Sequence, residues 1–252
     1  MDVSLSRISA AARYLRQSAP VYKWGASFAD CPFCGRSVFL SLQPNEFMTR
    51  CLRCRANVTG LSPIPVIKSH FASTAGKRVY EMSSYGITLA YLRRAFADVT
   101  ISEYMPNVEL GSTVDGTLIQ DVQRLTFADE SFDLITSNQV FEHVPDDVQG
   151  FRECLRTLRR GGAMIFTVPL HDIPKTKPLA KLSNSGVIHL QAPEYHSSRK
   201  GGAYSELTFW HHSMHDIADR VKQAGFDSVS VAEVLIAPCQ RRVAKVVYAI
   251  KF

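Results

Sequence analysis

Four of the six cysteines in this 252-residue chain form two pairs, Cys31-Pro-Phe-Cys34 and Cys51-Leu-Arg-Cys54, with sixteen residues between them. Two thiolates three positions apart fit one tight turn, and two such turns supply the four sulfur ligands that zinc takes in a tetrahedral site. Gly35 follows the first pair and can take the positive φ such a turn uses. Arg55-Ala-Asn57 follows the second, where no glycine helps. A closed four-sulfur site leaves no open coordination position, so its zinc would be structural rather than catalytic. Two disulfides or a redox pair are the competing readings, and they require an oxidising compartment that nothing else in the sequence suggests. Cys154 and Cys239 stand apart from the quartet and read as inert thiols. The groups able to move a proton near neutral pH gather in the second half, at Glu142-His143, His171-Asp172, Glu194-Tyr195-His196 and Trp210-His211-His212. His143 and His196 are candidate general bases, with Glu142 beside the first. The bland alternative is a structural or solvated histidine. A metal role for His211 and His212 is disfavoured for want of a paired carboxylate at helical spacing.

These groups need a scaffold, and the length and 46% hydrophobic content allow a full core plus a small accessory module. No run approaches the roughly 18 apolar residues of a membrane span. Residues 1–16 lack an uninterrupted apolar segment, which argues against a secretory signal and for a cytoplasmic protein. Leu5, Ile8, Ala12 and Leu15 would share one face of a short amphipathic helix there. The formal charge of +6 lies wholly in residues 1–70, where nine Lys and Arg face three Asp and Glu. That surplus suits an acidic or phosphorylated partner.

Between the cysteine pairs, 37–42 and 47–50 alternate like short strands around the turn at 43–46, a pattern that resembles a zinc ribbon. Leu61-Ser-Pro-Ile-Pro65 ends it, because two prolines bar a continuous helix or central strand. Residues 66–76 are a linker or a first packing helix. Strand patterns at 78–82, 99–102, 117–120, 132–136 and 163–168 then alternate with helical ones at 88–97 and 147–159, which predicts a parallel sheet with helices on both faces. Residues 171–205 read as irregular and too long for a passive connector. A helix is expected at 212–224, then strands at 227–235 and 242–250. The division is therefore 1–65, an N-terminal helix and ribbon, and 66–252, a second domain in which 171–211 forms a substrate-side loop or lid.

One stretch is especially specific: Asp121-Val-Gln-Arg-Leu-Thr-Phe-Ala-Asp-Glu-Ser-Phe-Asp-Leu-Ile-Thr-Ser-Asn-Gln-Val-Phe-Glu-His-Val144, continuing to Arg159-Arg-Gly-Gly-Ala-Met-Ile-Phe-Thr-Val-Pro169. It resembles class I S-adenosylmethionine (SAM) dependent methyltransferases, in particular the branch with a type 11-like methyltransferase domain. The likeness covers about 77–170 well and the remainder loosely. It implies an α/β, Rossmann-like, seven-stranded sheet closed by an antiparallel hairpin, with SAM bound outside the carboxyl ends of the strands. By resemblance, Glu81 opens the cofactor loop near the methionine end. Glu103 accepts the ribose hydroxyls, Asp121 accepts from the adenine amino group, and Val122 lies beside the ring. Ser83, Gly86 and Asn138 fall at the remaining cofactor positions, and Glu142-His143 at the substrate-facing edge. The three carboxylates are expected to converge on one crevice.

The family loop usually reads acidic-x-Gly-x-Gly-x-Gly, whereas this chain has Glu81-Met-Ser-Ser-Tyr-Gly86. Tyr85 fits only if it points away from the cofactor. The resemblance implies methyl transfer to a small-molecule, sugar or glycan acceptor. One alternative is a ribosomal RNA methyltransferase, in which a basic ribbon grips nucleic acid. The ribbon offers only Phe33, Phe39 and Phe47 as stacking aromatics, and the chain lacks an Asn/Asp-Pro-Pro-aromatic signature after its fourth strand. A second alternative is a non-catalytic binding protein on the same fold, for which the missing glycines speak. The sequence does not give the oligomeric state.

Overall fold

Residues 132–137, Phe-Asp-Leu-Ile-Thr-Ser, are buried at every position, as expected of a strand covered on both faces between parallel neighbours. The computed structural model of this protein describes residues 24–43, 47–198, 202–240 and 243–252. The amphipathic helix expected near the N-terminus lies outside them.

The described residues open with an antiparallel sheet of β1 (Gly25–Cys31), β2 (Gly35–Ser41) and β3 (Thr49–Cys51) in that order. β1 was not expected: its small residues and the exposed Phe28 hide the alternation. Two helices follow, α1 (Val58–Leu61) and α2 (Pro63–His70). The prolines thus do not break helix here. Pro63 opens α2 at the first helical position, where the missing N–H would have no partner anyway.

Next come β4 (Arg78–Glu81), α3 (Ile87–Ala95), β5 (Asp98–Glu103), β6 (Thr113–Val114), β7 (Thr117–Ile119) and β8 (Phe132–Asn138). A short 3-10 turn at Phe141–His143 leads into α4 (Asp147–Thr157) and β9 (Leu158–Thr167). After the lid come α5 (Ile217–Lys222), β17 (Ser228–Val234) and β18 (Ala244–Ile250). The main sheet has the order β17-β18-β9-β8-β4-β5-β7-β6. β8, β4, β5, β7 and β9 run parallel, and β18 runs antiparallel to both β9 and β17. The seven expected strands are present, with the two-residue β6 added at one edge. From β4 the chain builds outward through β5 and β7, then returns to place β8 on the other side. That reversal opens a crevice at the carboxyl ends of β4 and β8.

The lid is more regular than its sequence suggested. It contains β10 (Leu170–His171), β11 (Lys177–Pro178), the hairpin β12 (Ala180–Ser183) with β13 (Gly186–His189), the hairpin β14 (Tyr195–Ser198) with β15 (Gly202–Leu207), and β16 (Trp210–Ser213). β16 pairs with β10 and β11, so residues 210–213 are strand and the expected helix starts only at Ile217. His212 decides this: it is fully buried and bonded to Asp147 across the molecule.

One core cluster joins Cys31, Phe39, Cys51, Val58, Leu61 and Ile64 to Ala237, Cys239 and Ala244. The ribbon therefore shares its interior with the last strand of the main sheet.

Candidate active site and cysteine centre

The four cysteines of the quartet are free thiols. Their sulfurs lie within 4.8 Å of one another, with Cys31–Cys54 at 3.8 Å and Cys34–Cys51 at 3.5 Å. A disulfide would bring two sulfurs to about 2.05 Å. A zinc–sulfur bond of about 2.3 Å gives a tetrahedron with edges of about 3.8 Å, so the donor set fits one zinc ion. The first turn uses Gly35 at φ +77°, and the second uses Arg55 itself at φ +63°. The second turn thus manages without glycine by holding an arginine in the left-handed region, with the Arg55 amide donating to the Cys51 carbonyl at 2.8 Å. Cys154 and Cys239 are buried, the first within α4.

A cleft of about 750 Å³ opens at the strand ends. Glu103, at the tip of β5, and Asp121 with Val122, just past β7, line it with Ser83, Tyr85 and Asn138. Glu103 accepts from the backbone and hydroxyl of Ser84 through one oxygen, at 2.8 and 2.6 Å. Asp121 Oδ1 accepts from the Gln123 amide at 2.9 Å. Both carboxylates are thus held in place from behind.

Glu81 stands slightly apart from this pair. It lines an adjoining cavity of about 570 Å³, which meets the cleft at Ser83, Tyr85 and Asn138. It is buried and accepts from the Thr136 hydroxyl. Burial pushes its carboxyl up to about 8, the Thr136 bond opposes this, and Glu103 adds repulsion.

The glycine-poor loop has a physical explanation. Gly86 sits at φ +114°, ψ 167°, a region essentially confined to glycine. Ser83, Ser84 and Tyr85 are not among the residues with positive φ. Only one position in this loop requires glycine, and it has one. The serines brace the turn: Ser83 Oγ donates to the Tyr85 carbonyl at 2.9 Å, and Ser84 ties to Glu103. Gln139, just past β8, holds φ +56° at the cleft edge.

His143 also lines the cleft. Its Nδ1 lies 2.8 Å from the Leu207 carbonyl. A carbonyl only accepts, so this nitrogen carries the proton and Nε2 holds the lone pair. Burial holds the ring below the usual histidine range. His196 Nδ1 is 3.2 Å from that Nε2, and its own Nε2 is 3.2 Å from Glu194. Glu142 is only 1% exposed and lies behind both rings, at 3.8 Å from His143 and 3.9 Å from His196. Among the described residues neither of its oxygens has a hydrogen-bond partner, and burial pushes its carboxyl up to about 8. The structure therefore brings Glu142, His143 and His196 together, with His143 alone lining the cleft.

Sequence reasoning missed three features. Tyr104 and Met105 add apolar wall beside Glu103, a signal available only as two apolar residues after a strand end. His211 and His212 do have carboxylate partners, Glu194 at 2.8 Å and Asp147 at 2.9 Å, drawn from distant segments. Asp147 also takes two bonds from Arg220, at 2.7 and 2.6 Å, so a buried ion cluster pins the lid base to α4. Arg50 and Arg55 face the cofactor loop from the ribbon, a placement no local pattern encodes.

Residues 82–166 match the family model for a methyltransferase domain. Over 120 residues the chain is 33% identical to malonyl-[acyl-carrier protein] O-methyltransferase 1 of Coxiella burnetii, covering 47% of this chain and 36% of that protein. Over 150 residues it is 26% identical to the ubiquinone biosynthesis O-methyltransferase of Pseudomonas putida, covering 55% and 64%. The chain thus spans between about a third and two thirds of the curated relatives it matches. The structure aligns with Burkholderia thailandensis 1,6-didemethyltoxoflavin-N1-methyltransferase, solved with bound 1,6-didemethyltoxoflavin and S-adenosylhomocysteine, at TM-score 0.52 and 14% identity over 77% of this chain and 78% of that one. The fold is that of a class I methyltransferase. Among the described residues no helix is long and apolar enough to cross a membrane.

Proposed function

We propose that this chain, which carries a methyltransferase domain on the class I fold, transfers the methyl group of SAM to a hydroxyl of a small-molecule or glycan acceptor. The observation that carries this reading is that one cleft is lined by two sets of groups: Glu103 and Asp121 at the strand ends, and His143, whose Nε2 holds the lone pair of the ring. Glu103 accepts the ribose hydroxyls with its second oxygen, and Asp121 with Val122 holds the adenine. The activated methyl supplies the driving force, so the protein chiefly aligns the partners and excludes water. The acceptor oxygen forms a bond to the methyl carbon as the sulfur–methyl bond breaks, and the acceptor proton goes to His143 Nε2. S-adenosylhomocysteine, the methylated acceptor and protonated His143 result. His196 positions His143, and Glu142 is the buried carboxyl nearest to both rings.

The cysteine quartet holds a structural zinc ion. Residues 1–65 act as the accessory part and 66–252 as the catalytic part, with 171–211 as the lid over the acceptor. Two O-methyltransferases among the relatives support an oxygen acceptor. Calorimetric titration with SAM, followed by transfer of labelled methyl to a library of hydroxylated small molecules, tests the proposal. Failure to bind SAM refutes it.

A second reading of the trio also has support. The ligand atoms of Glu142, His143 and His196 lie within 4.8 Å of one another, and Glu142 has no other described partner, an arrangement that also suits a divalent cation. Loss of turnover on chelation, restored by added magnesium or manganese at constant zinc, would favour this reading.

A further inference from the structure

The cleft with Glu103 and Asp121 and the cavity with Glu81 are contiguous, meeting at Ser83, Tyr85 and Asn138. If adenosine fills the first, the amino-acid end of SAM continues past the loop into the second. The two walls of that second cavity come from different parts of the chain. One is the cofactor loop and the first turn of α3, namely Glu81, Gly86, Ile87 and Thr88. The other is the ribbon, including Arg50, Arg55 and Asn57. Glu81 is the only acid among the described lining residues, against two arginines. Among the described residues the Arg55 side chain makes no hydrogen bond or ion pair. No acidic residue occupies the first turn of α3, and no side chain caps it, so its first amides also favour an anion there.

The ribbon wall is rigidly seated. Asn57 caps α1 by accepting from the Gly60 amide at 3.0 Å, and the Gly60 carbonyl accepts from the Thr88 hydroxyl at 2.7 Å. That hydroxyl in turn accepts from Asn138 at 2.9 Å, completing a path from ribbon to strand tip. A Cβ on Gly60 would meet the Ile87 side chain at 3.1 Å, so the two parts pack closely here.

We infer that the ribbon completes the cofactor site: Arg55, with Arg50 beside it, holds the carboxylate of the amino-acid end of SAM, while Glu81 faces its ammonium group. This rests on the SAM reading above. It also gives the metal module a role in binding, because Cys54, a member of the quartet, lines the same cavity.

The test uses the zinc-loaded full chain and two ligands, S-adenosylhomocysteine and 5′-methylthioadenosine, which has the nucleoside but no amino-acid group. Arg55→Gln should weaken the first about tenfold and leave the second unchanged, with Arg55→Lys recovering most of the loss. Equal affinity of wild type and Arg55→Gln for S-adenosylhomocysteine overturns the inference. Equal weakening of both ligands also overturns it, since that indicates a general distortion of the loop. If wild type binds neither ligand, the SAM reading itself falls.

Discussion

The Nδ1–H of His143 donates to the carbonyl of Leu207 at 2.8 Å, joining the segment after β8 to the lid strand β15. The bond fixes the tautomer that leaves the lone pair on Nε2, and it couples the base to the position of the lid. Because burial holds His143 below the usual histidine range, the base stays unprotonated into mildly acidic solution. The acid limb of a kcat/KM profile should therefore have its midpoint below about 6.5. His143→Gln should lower kcat by about 10²- to 10⁴-fold while leaving the SAM Kd unchanged. An unaltered kcat would remove His143 from the chemistry.

Glu142 and Glu81 make stability pH-dependent. Each has its carboxyl pushed up to about 8 in the folded protein, against about 4.3 in an unfolded chain. Between those values the folded state binds more protons, so stability falls as pH rises through that window and levels off above about 8. Calorimetric scans of ligand-free protein from pH 5 to 9 should show Tm declining, with a shallower decline in Glu142→Gln. A Tm that climbs across this range in wild type but not in Glu142→Gln would contradict the assigned protonation.

The cysteine quartet predicts one zinc per chain by elemental analysis and none in a Cys51→Ser, Cys54→Ser double variant. The ribbon core includes Ala237, Cys239 and Ala244, so loss of metal should lower the Tm of the whole chain. A separate low-temperature transition with an unchanged main one would indicate an independent ribbon.

Asp147 is fully buried and bonded to His212 and Arg220. Removing one partner of a buried charged set strands the others, at a cost of about 3–5 kcal/mol. Asp147→Ala should lose about that much in chemical denaturation. A loss below about 1 kcal/mol would show that the cluster relaxes into solvent.

Much of this was written in local pattern. From residue 78 to 170 strands alternate with helices of the right period, and Glu103 and Asp121 fall where strands end, so their position on one cleft wall followed from register. The single loop glycine also had meaning once φ was known, since Gly86 alone takes the conformation that excludes a side chain. What stayed hidden depends on distant partners. His212 reads as the start of a helix until Asp147, 65 residues away, claims its imidazole. Each lid hairpin sets its register between its own two strands, and their polar sequences carry little alternation. Arg55 looked like a turn without help, yet it supplies both the left-handed residue and a cation for the neighbouring cavity. Glu81 was expected in one crevice with Glu103 and Asp121; it lines the cavity contiguous with theirs and accepts from Thr136 there.

The Cys239 amide donates to the Ser27 hydroxyl at 3.2 Å, across 212 residues of chain. During synthesis the cysteine quartet therefore emerges long before the surface it rests on has been made. The ribbon core is completed only when β18 emerges and brings Ala244 to it. Long-range closures of this kind come late in assembly, so the cavity between ribbon and cofactor loop should be among the last parts of the molecule to become competent.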